Sequence, residues 1–360
     1  MDYETFKEKI VEDLRDRLYE QGAEVDISVT TVNKLNESYE AITVRPENSN
    51  IGVNVGINKL YAGVENGLSY EEVMDKAAEM ISNGINEPPG FDLESLGDYS
   101  RMKEKLAMEV VSSETNKEML KTVPHKNIED MALVYRFVMD SEETGGRASI
   151  LVTNRMIDSM GVTPEQLHAD AMENAPRIRP VEIKGLSEVM IEMVGIERAE
   201  MLGILPTAPE EEKVFVASVP DKVHGAGVIA YQNFMDQAAE RAGGDFYILP
   251  SSLHEILIVL DNGEVNLTDL QAMVKEVNAT QVAPEDKLTD SVYHYDSKDK
   301  IFELGEKYVS RQAEKEGLGA EKKEKASILN DLKTKKDEIA RAAKKDPVEK
   351  AIKAKGENTL

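Results

Sequence analysis

The chain has 360 residues, 41% hydrophobic and 31% charged, an ordinary globular composition with room for two domains and a tail. It contains no cysteine, which excludes disulfides and thiolate metal sites, and its net charge of −25 repels phosphate backbones. The start, Met1-Asp2-Tyr3-Glu4, is unlike a signal peptide, and the longest strongly apolar run, Ile256 to Leu260, falls far short of the roughly 20 residues of a membrane span, so no membrane association and a cytoplasmic location are expected.

Phe6, Ile10, Leu14 and Leu18 recur at helical spacing and predict an amphipathic helix over Tyr3 to Glu20. Val25 to Val29, Ala41 to Val44 and Ile51 to Val55 are short and β-branched, as strands are. A second helix runs from Ser69 to Ile81, with Ser69 as N-cap and Glu72 completing a capping box. Pro88-Pro89-Gly90 then breaks the chain. Residues 1–90 therefore form a small helix, three-strand, helix unit, and residues 91–123 a connecting segment.

Residues 124–305 read as a mixed-sheet α/β core. Lys103 to Ser112 is ambiguous between strand and helix, and Glu114 to Leu120 is a helical turn. Ala132 to Met139 and Ser149 to Thr153 read as paired strands around the turn Glu142 to Gly146. The second of two following helices opens with Thr163-Pro164-Glu165-Gln166, a Thr cap, a first-turn Pro and a Gln in agreement. Val181 to Leu205 is Met-rich and helical in pieces, and Pro206 to Glu212 a surface loop. Then come a strand (Lys213 to Val219), a helix (Gly227 to Ala242), strands at Phe246 to Leu249 and Glu255 to Leu260, a helix from Leu267 to Val277, and a hairpin at Ser291 to Tyr295 and Lys300 to Leu304. The class is α+β; the irregular order of helices and strands predicts a mixed sheet, not a doubly wound parallel one.

Residues 306–360 form a charged, partly helical or disordered tail with a loose stripe of Ile328, Leu332 and Ile339. Of the 43 Lys+Arg and 68 Asp+Glu, residues 311–360 hold 14 and 10, which leaves 29 and 58 in the acidic body. Direct nucleic-acid binding by such a body is not expected. A decoy that imitates DNA is disfavoured too, because acids alternate with lysines, as in Lys7-Glu8-Lys9 and Lys103-Glu104-Lys105.

Four blocks carry a resemblance. They are Asn116 to Arg136 (Asn-Lys-Glu-Met-Leu, Val-Pro-His, Glu-Asp-Met-Ala-Leu-Val-Tyr-Arg), Leu167 to Pro180 (Leu-His-Ala-Asp-Ala-Met-Glu-Asn, Arg-Ile-Arg-Pro), Phe246 to Glu255 (Phe-Tyr-Ile-Leu-Pro-Ser-Ser-Leu-His-Glu) and Leu288 to Tyr295 (Leu-Thr-Asp-Ser-Val-Tyr-His-Tyr). They resemble a bacterial family, the domain of unknown function numbered 5688, over roughly residues 1–305. A second family of unknown function, numbered 1444, is similar at greater distance. The resemblance implies cargo of integrative and conjugative elements, and it transfers no catalytic residue.

Several motifs invite chemistry. Gly225-Ala226-Gly227-Val228-Ile229-Ala230 matches a dinucleotide-binding pattern, yet Pro220 to His224 separate it from the preceding strand and no acidic residue closes the next one; tight packing explains the glycines better. Ser251, Ser252, His254 and Glu255 place hydroxyls, an imidazole and a carboxylate within five residues. Adjacent strand residues face opposite ways, triads are built from distant segments, and no nucleophile elbow is present, so a structural turn feeding a central strand is expected. Asn174 and Arg177, with Arg179, are the best candidates for holding an anion, although Arg177 equally serves to cap a helix. His125, His168, His224, His254 and His294 are scattered, and Asp261-Asn262-Gly263-Glu264 lacks the residues of a calcium loop, so neither a metal nor another cofactor is expected.

With no catalytic residue assigned, the leading expectation is a non-enzymatic accessory protein of a mobile element, working through an unknown protein partner and modulating a host factor. The alternative is an enzyme of unrecognised class, sited where the Pro250 to His254 turn meets Arg177 or His125. Converging side chains in a pocket favour the enzyme; a broad exposed apolar patch favours the binder.

Overall fold

The computed structural model describes residues 1–20, 22–47, 52–86, 94–140, 147–208, 211–250, 252–316 and 335–336. The N-terminal unit consists of helix α1 (Tyr3–Glu20), strands β1 (Val25–Lys34), β2 (Glu37–Pro46) and β3 (Val53–Gly56), and helices α2 (Ile57–Glu65) and α3 (Tyr70–Asn86). The strands form an antiparallel sheet in the order β1-β2-β3. Phe6, Ile10, Leu14 and Leu18, the stripe of α1, are buried against Ile42, Val44 and Val55 of the sheet and Val73, Ala77 and Ile81 of α3. The opposite sheet face carries a polar row in which Thr43 Oγ1 meets Thr30 Oγ1 and donates to Asn54 Oδ1 at 2.7 Å. One apolar and one polar face follow from strand periodicity. The Ser69–Glu72 capping box forms as expected, with Ser69 N donating to Glu72 Oε2 at 2.8 Å and Glu72 N to Ser69 Oγ at 3.3 Å.

The core begins with helix α4 (Tyr99–Met102), strand β4 (Leu106–Ser112), helix α5 (Lys117–Leu120), strands β5 (His125–Ile128), β6 (Met131–Asp140) and β7 (Arg147–Leu151), and helices α6 (Asn154–Met160) and α7 (Pro164–Ile178). It continues through strand β8 (Glu182–Gly185), helices α8 (Leu186–Val194) and α9 (Ile196–Met201), strand β9 (Val214–Ser218), a 3-10 segment (Gly225–Ala230) and helix α10 (Gln232–Ala242). Strands β10 (Phe246–Leu249) and β11 (Ile256–Leu260), helix α11 (Leu267–Thr280), strands β12 (Tyr293–Asp296) and β13 (Ile301–Leu304), and helix α12 (Gly305–Glu316) complete it. Two sheets result: four strands with β6 central, and six in the order β13-β12-β10-β11-β9-β8.

The class is α+β, as the sequence predicts, but every pairing among the described strands is antiparallel, so no parallel pair makes the core sheet mixed in direction. In the six-stranded sheet Phe215, Ala217, Phe246, Ile248, Ile256 and Ile258 face the four-stranded sheet and α10. Their alternates Val214, Val216, Tyr247, Leu249, Leu257 and Val259 face α11, whose Leu270 and Val274 cover them. Burial on both sides explains why these strands are continuous apolar runs. β11 is central, as expected. Helix α12 docks through Arg311, which bridges Asp296 at 3.0 Å and Glu303 at 2.7 Å.

The two units meet at the tip of the β1–β2 hairpin. Leu35 is buried in the core cluster of the second unit. Asn36, at φ 59°, donates its N–H to Asn116 Oδ1 at 2.8 Å and its side-chain amide to the carbonyls of Glu285 (2.9 Å) and Lys287 (2.7 Å). Asn116 Nδ2 returns a bond to Asn36 Oδ1 at 2.8 Å. Asn tolerates this left-handed conformation better than most residues.

Candidate functional site

Two strands of the four-stranded sheet hold a charge inside an otherwise apolar run, Glu109 in β4 and Arg136 in β6. The register pairs Glu109 with Val134 and Ala107 with Arg136, which sets the two charges diagonally on one face. Arg136 Nε donates to Glu109 Oε2 at 2.5 Å and its Nη1 to Ser149 Oγ at 3.1 Å. Arg179, just past the end of α7, joins them: Nη1 lies 3.9 Å from Glu109 Oε1, and Nη2 donates to Asp221 Oδ1 at 2.8 Å and to the Val223 carbonyl. Glu109 is 2% exposed and Arg179 5%.

The loop after β9 closes this cluster. Lys222 and His224 sit at φ 54° and 52°, left-handed conformations that cost non-glycine residues on the order of 1 kcal/mol each. His224 Nδ1 lies 3.4 Å from Glu109 Oε2 without hydrogen-bond alignment. Burial pushes the Glu109 carboxyl up, but His224 and Arg136 beside it outweigh burial and hold it below the usual range. Two buried nitrogens here, His224 Nδ1 and Arg179 Nε, have no hydrogen-bond partner.

His254 is the outer member. Its Nδ1 accepts the His224 N–H at 3.1 Å, so the neutral ring carries its proton on Nε2, which faces Asp286 Oδ1 at 3.0 Å. The His254 carbonyl accepts from Ser218 Oγ at 2.7 Å. The glycine motif wedges between these parts: a Cβ on Gly225 would lie 2.4 Å from the His254 carbonyl, and one on Gly227 2.4 Å from the Met108 carbonyl at the free edge of β4. Residues 225–229 are buried, and the helix expected from Gly227 starts at Gln232 because this packing holds 225–230 as a 3-10 segment. The glycines serve contact between backbones, which leaves no face for a pyrophosphate.

Of the sequence-predicted residues, Arg179 and His254 belong to this cluster. Ser252 Oγ accepts the His254 N–H at 3.0 Å, a turn-closing bond. Ser251 lies outside the described residues. Glu255 is half-buried beside Lys336, whose ammonium is pushed down by burial. Asn174 is buried and donates to the Lys103 carbonyl at 2.9 Å, while Arg177 bonds to Asn174 and reaches Glu104 at 3.2 Å. Both thus fasten α7 to the short 3-10 turn, Lys103–Lys105, that leads into β4. His125 Nδ1 sits 3.1 Å from the Val123 carbonyl, and neither it nor Arg177 meets the His254 turn through a described hydrogen bond or ion pair. Glu109, Arg136 and His224 were missed by motif reading. A lone acid and a lone base in adjacent apolar strands were the available signal; the backbone twist at His224 has none.

The other histidines serve the core. His294, fully buried, stacks on Tyr308 at 3.4 Å and faces Asp261 Oδ2 at 3.0 Å, so Asp261-Asn262-Gly263 is a turn whose carboxylate is engaged inward. His168 Nδ1 lies 3.0 Å from the Tyr135 hydroxyl, and burial, then Lys126, pulls its pKa down. Among the described residues no three His, Asp or Glu side chains group as a metal site, and no helix is long and apolar enough to cross a membrane.

A second departure from the ordinary rule lies on α8 and α9. Their inward residues Met190 and Ala199, with Ile204, make a small satellite core, while Leu186 and Val189 pack on the six-stranded sheet. Outside, Met193, Ile196, Met201 and Leu205 are 65%, 70%, 87% and 65% exposed. Gly195, at φ 83°, breaks the two helices apart.

The family model described as Family of unknown function (DUF5688) matches residues 3–297. The chain belongs to that family. No curated protein and no solved structure matches it.

Proposed function

We propose that this DUF5688 member is a non-enzymatic accessory protein of a mobile genetic element, working in the cytoplasm through contact with a host protein. The observation that carries the reading is the α8–α9 surface, where four large apolar side chains stand in solvent within thirteen residues. Such clustering marks interaction sites, whereas isolated exposed apolar residues need no explanation. The mobile-element setting comes from the family resemblance. The test compares what co-purifies from a host lysate with the tagged protein and with a Met193→Glu/Met201→Glu variant of equal melting temperature. Selective loss of one protein from the variant supports the reading; an identical set from both sinks it.

A second reading has its own support. An enzyme or ligand-binding protein would use the Glu109–His224–His254 cluster, where strained backbone and unpartnered buried nitrogens coincide, a combination that functional sites favour. A His224→Ala variant that melts like the parent yet loses the cellular effect would favour this reading over contact.

A further inference from the structure

Resting on the contact reading, we propose that the α8–α9 surface receives a basic amphipathic helix of a partner protein. Two of its four most exposed apolar side chains, Met193 and Met201, are methionines, whose unbranched thioether chains adapt to the face of an incoming helix. The apolar residues are interleaved with acids. Glu188, Glu197 and Glu200 are exposed, and no ion pair among the described residues engages them. Glu192 is taken by Lys184 at 2.5 Å and Lys222 at 3.8 Å. The one cation of α9, Arg198, is itself engaged. What remains for a partner is exposed apolar side chains interleaved with acids, complementary to a helix that carries both leucine-like residues and Lys or Arg.

Acidic occupants fit less well. The same surface of a second copy would bring like-charged acids together, and an anionic lipid surface or nucleic acid would meet like charge too. The chain's net charge of −25 adds long-range attraction for a basic partner.

The experiment titrates the full chain against three fluorescent peptides and reads anisotropy: a Leu/Lys amphipathic helix, the same helix with Glu for Lys, and a scrambled Leu/Lys sequence. The basic helix is expected to bind, more weakly as salt rises, and the other two to bind at least about tenfold less tightly. Met193→Glu/Met201→Glu should weaken the basic helix about tenfold or more, Met201→Leu should not, and Glu197→Lys/Glu200→Lys should weaken it by several-fold. Circular dichroism of each variant confirms the fold. Absence of binding by the basic helix, equal binding of the acidic one, or indifference to both double variants would overturn the inference. So would dimerisation of the chain that the same double variants abolish. If the lysate comparison still loses a protein while the basic helix fails, the contact reading stands and the partner class falls; if neither responds, both fall.

Discussion

Charge sits inside this protein around Glu109 and apolar surface sits outside on α8–α9, and the two departures differ in how completely the chain answers them. Glu109 is met by Arg136 and approached by Arg179 and His224, so the fold supplies the partners that make its burial tolerable. Met193, Ile196, Met201 and Leu205 have no such answer within the described residues. An internally satisfied irregularity is explained by the fold, and an unsatisfied one points beyond it. The buried nitrogens of His224 and Arg179 are the exception that keeps the first region from being wholly structural.

The contrast predicts opposite sensitivities. Glu109→Ala takes the carboxylate from Arg136 and leaves Arg179 with Asp221 alone, and should cost about 3–5 kcal/mol by urea unfolding. A loss near zero would mean that the cluster is solvated and the contrast false. Gly227→Ala drives a methyl into the Met108 carbonyl and should cost about 1–3 kcal/mol in the same measurement. Ser252→Ala removes the acceptor of the His254 N–H and should cost about 1 kcal/mol. Met201→Ser on the outer surface should stay within about 0.5 kcal/mol of the parent; a larger loss would show that this surface is used internally.

Acid should sharpen the same contrast. His168 is harder to protonate folded than unfolded, so its contribution is present above the ordinary histidine pKa of about 6.5 and is lost as pH falls below it. Glu109 and Asp261 have depressed carboxyl pKa values, so their contribution is full above about pH 4.5 and is lost as pH falls through their folded values. The urea midpoint should therefore fall in two steps on acidification, and Glu109→Ala should flatten the lower one.

Much of the fold was legible where periodicity is strong. The α1 stripe, the Ser69 and Thr163 caps, and the apolar runs of β9, β10 and β11 each follow from local spacing. What was not legible lacks a local signal. β5, His125–Ile128, is an exposed polar edge strand, so its sequence carries no apolar alternation. β8 has four residues with one buried, Ile183. β1 and β2 extend past their apolar stretches because pairing alone continues them to Lys34 and Glu37. The site divides the same way. His254 announced itself by composition, but its partners come from β4, β6, the end of α7 and the loop after β9, and only register and chain reversal bring those together.

The Asn36 latch has a consequence for the order of assembly. Its acceptors, the carbonyls of Glu285 and Lys287, lie 249 and 251 residues further along the chain. On a ribosome the N-terminal unit has its own buried cluster long before those carbonyls exist, so it can form early, and with Asn116 only 80 residues on the latch can begin to close, but it cannot be completed until nearly all of the second unit has been made. Until then the hairpin tip, with Leu35 and the Asn36 amide unsheltered, is the part of the early-formed unit most open to the wrong neighbour.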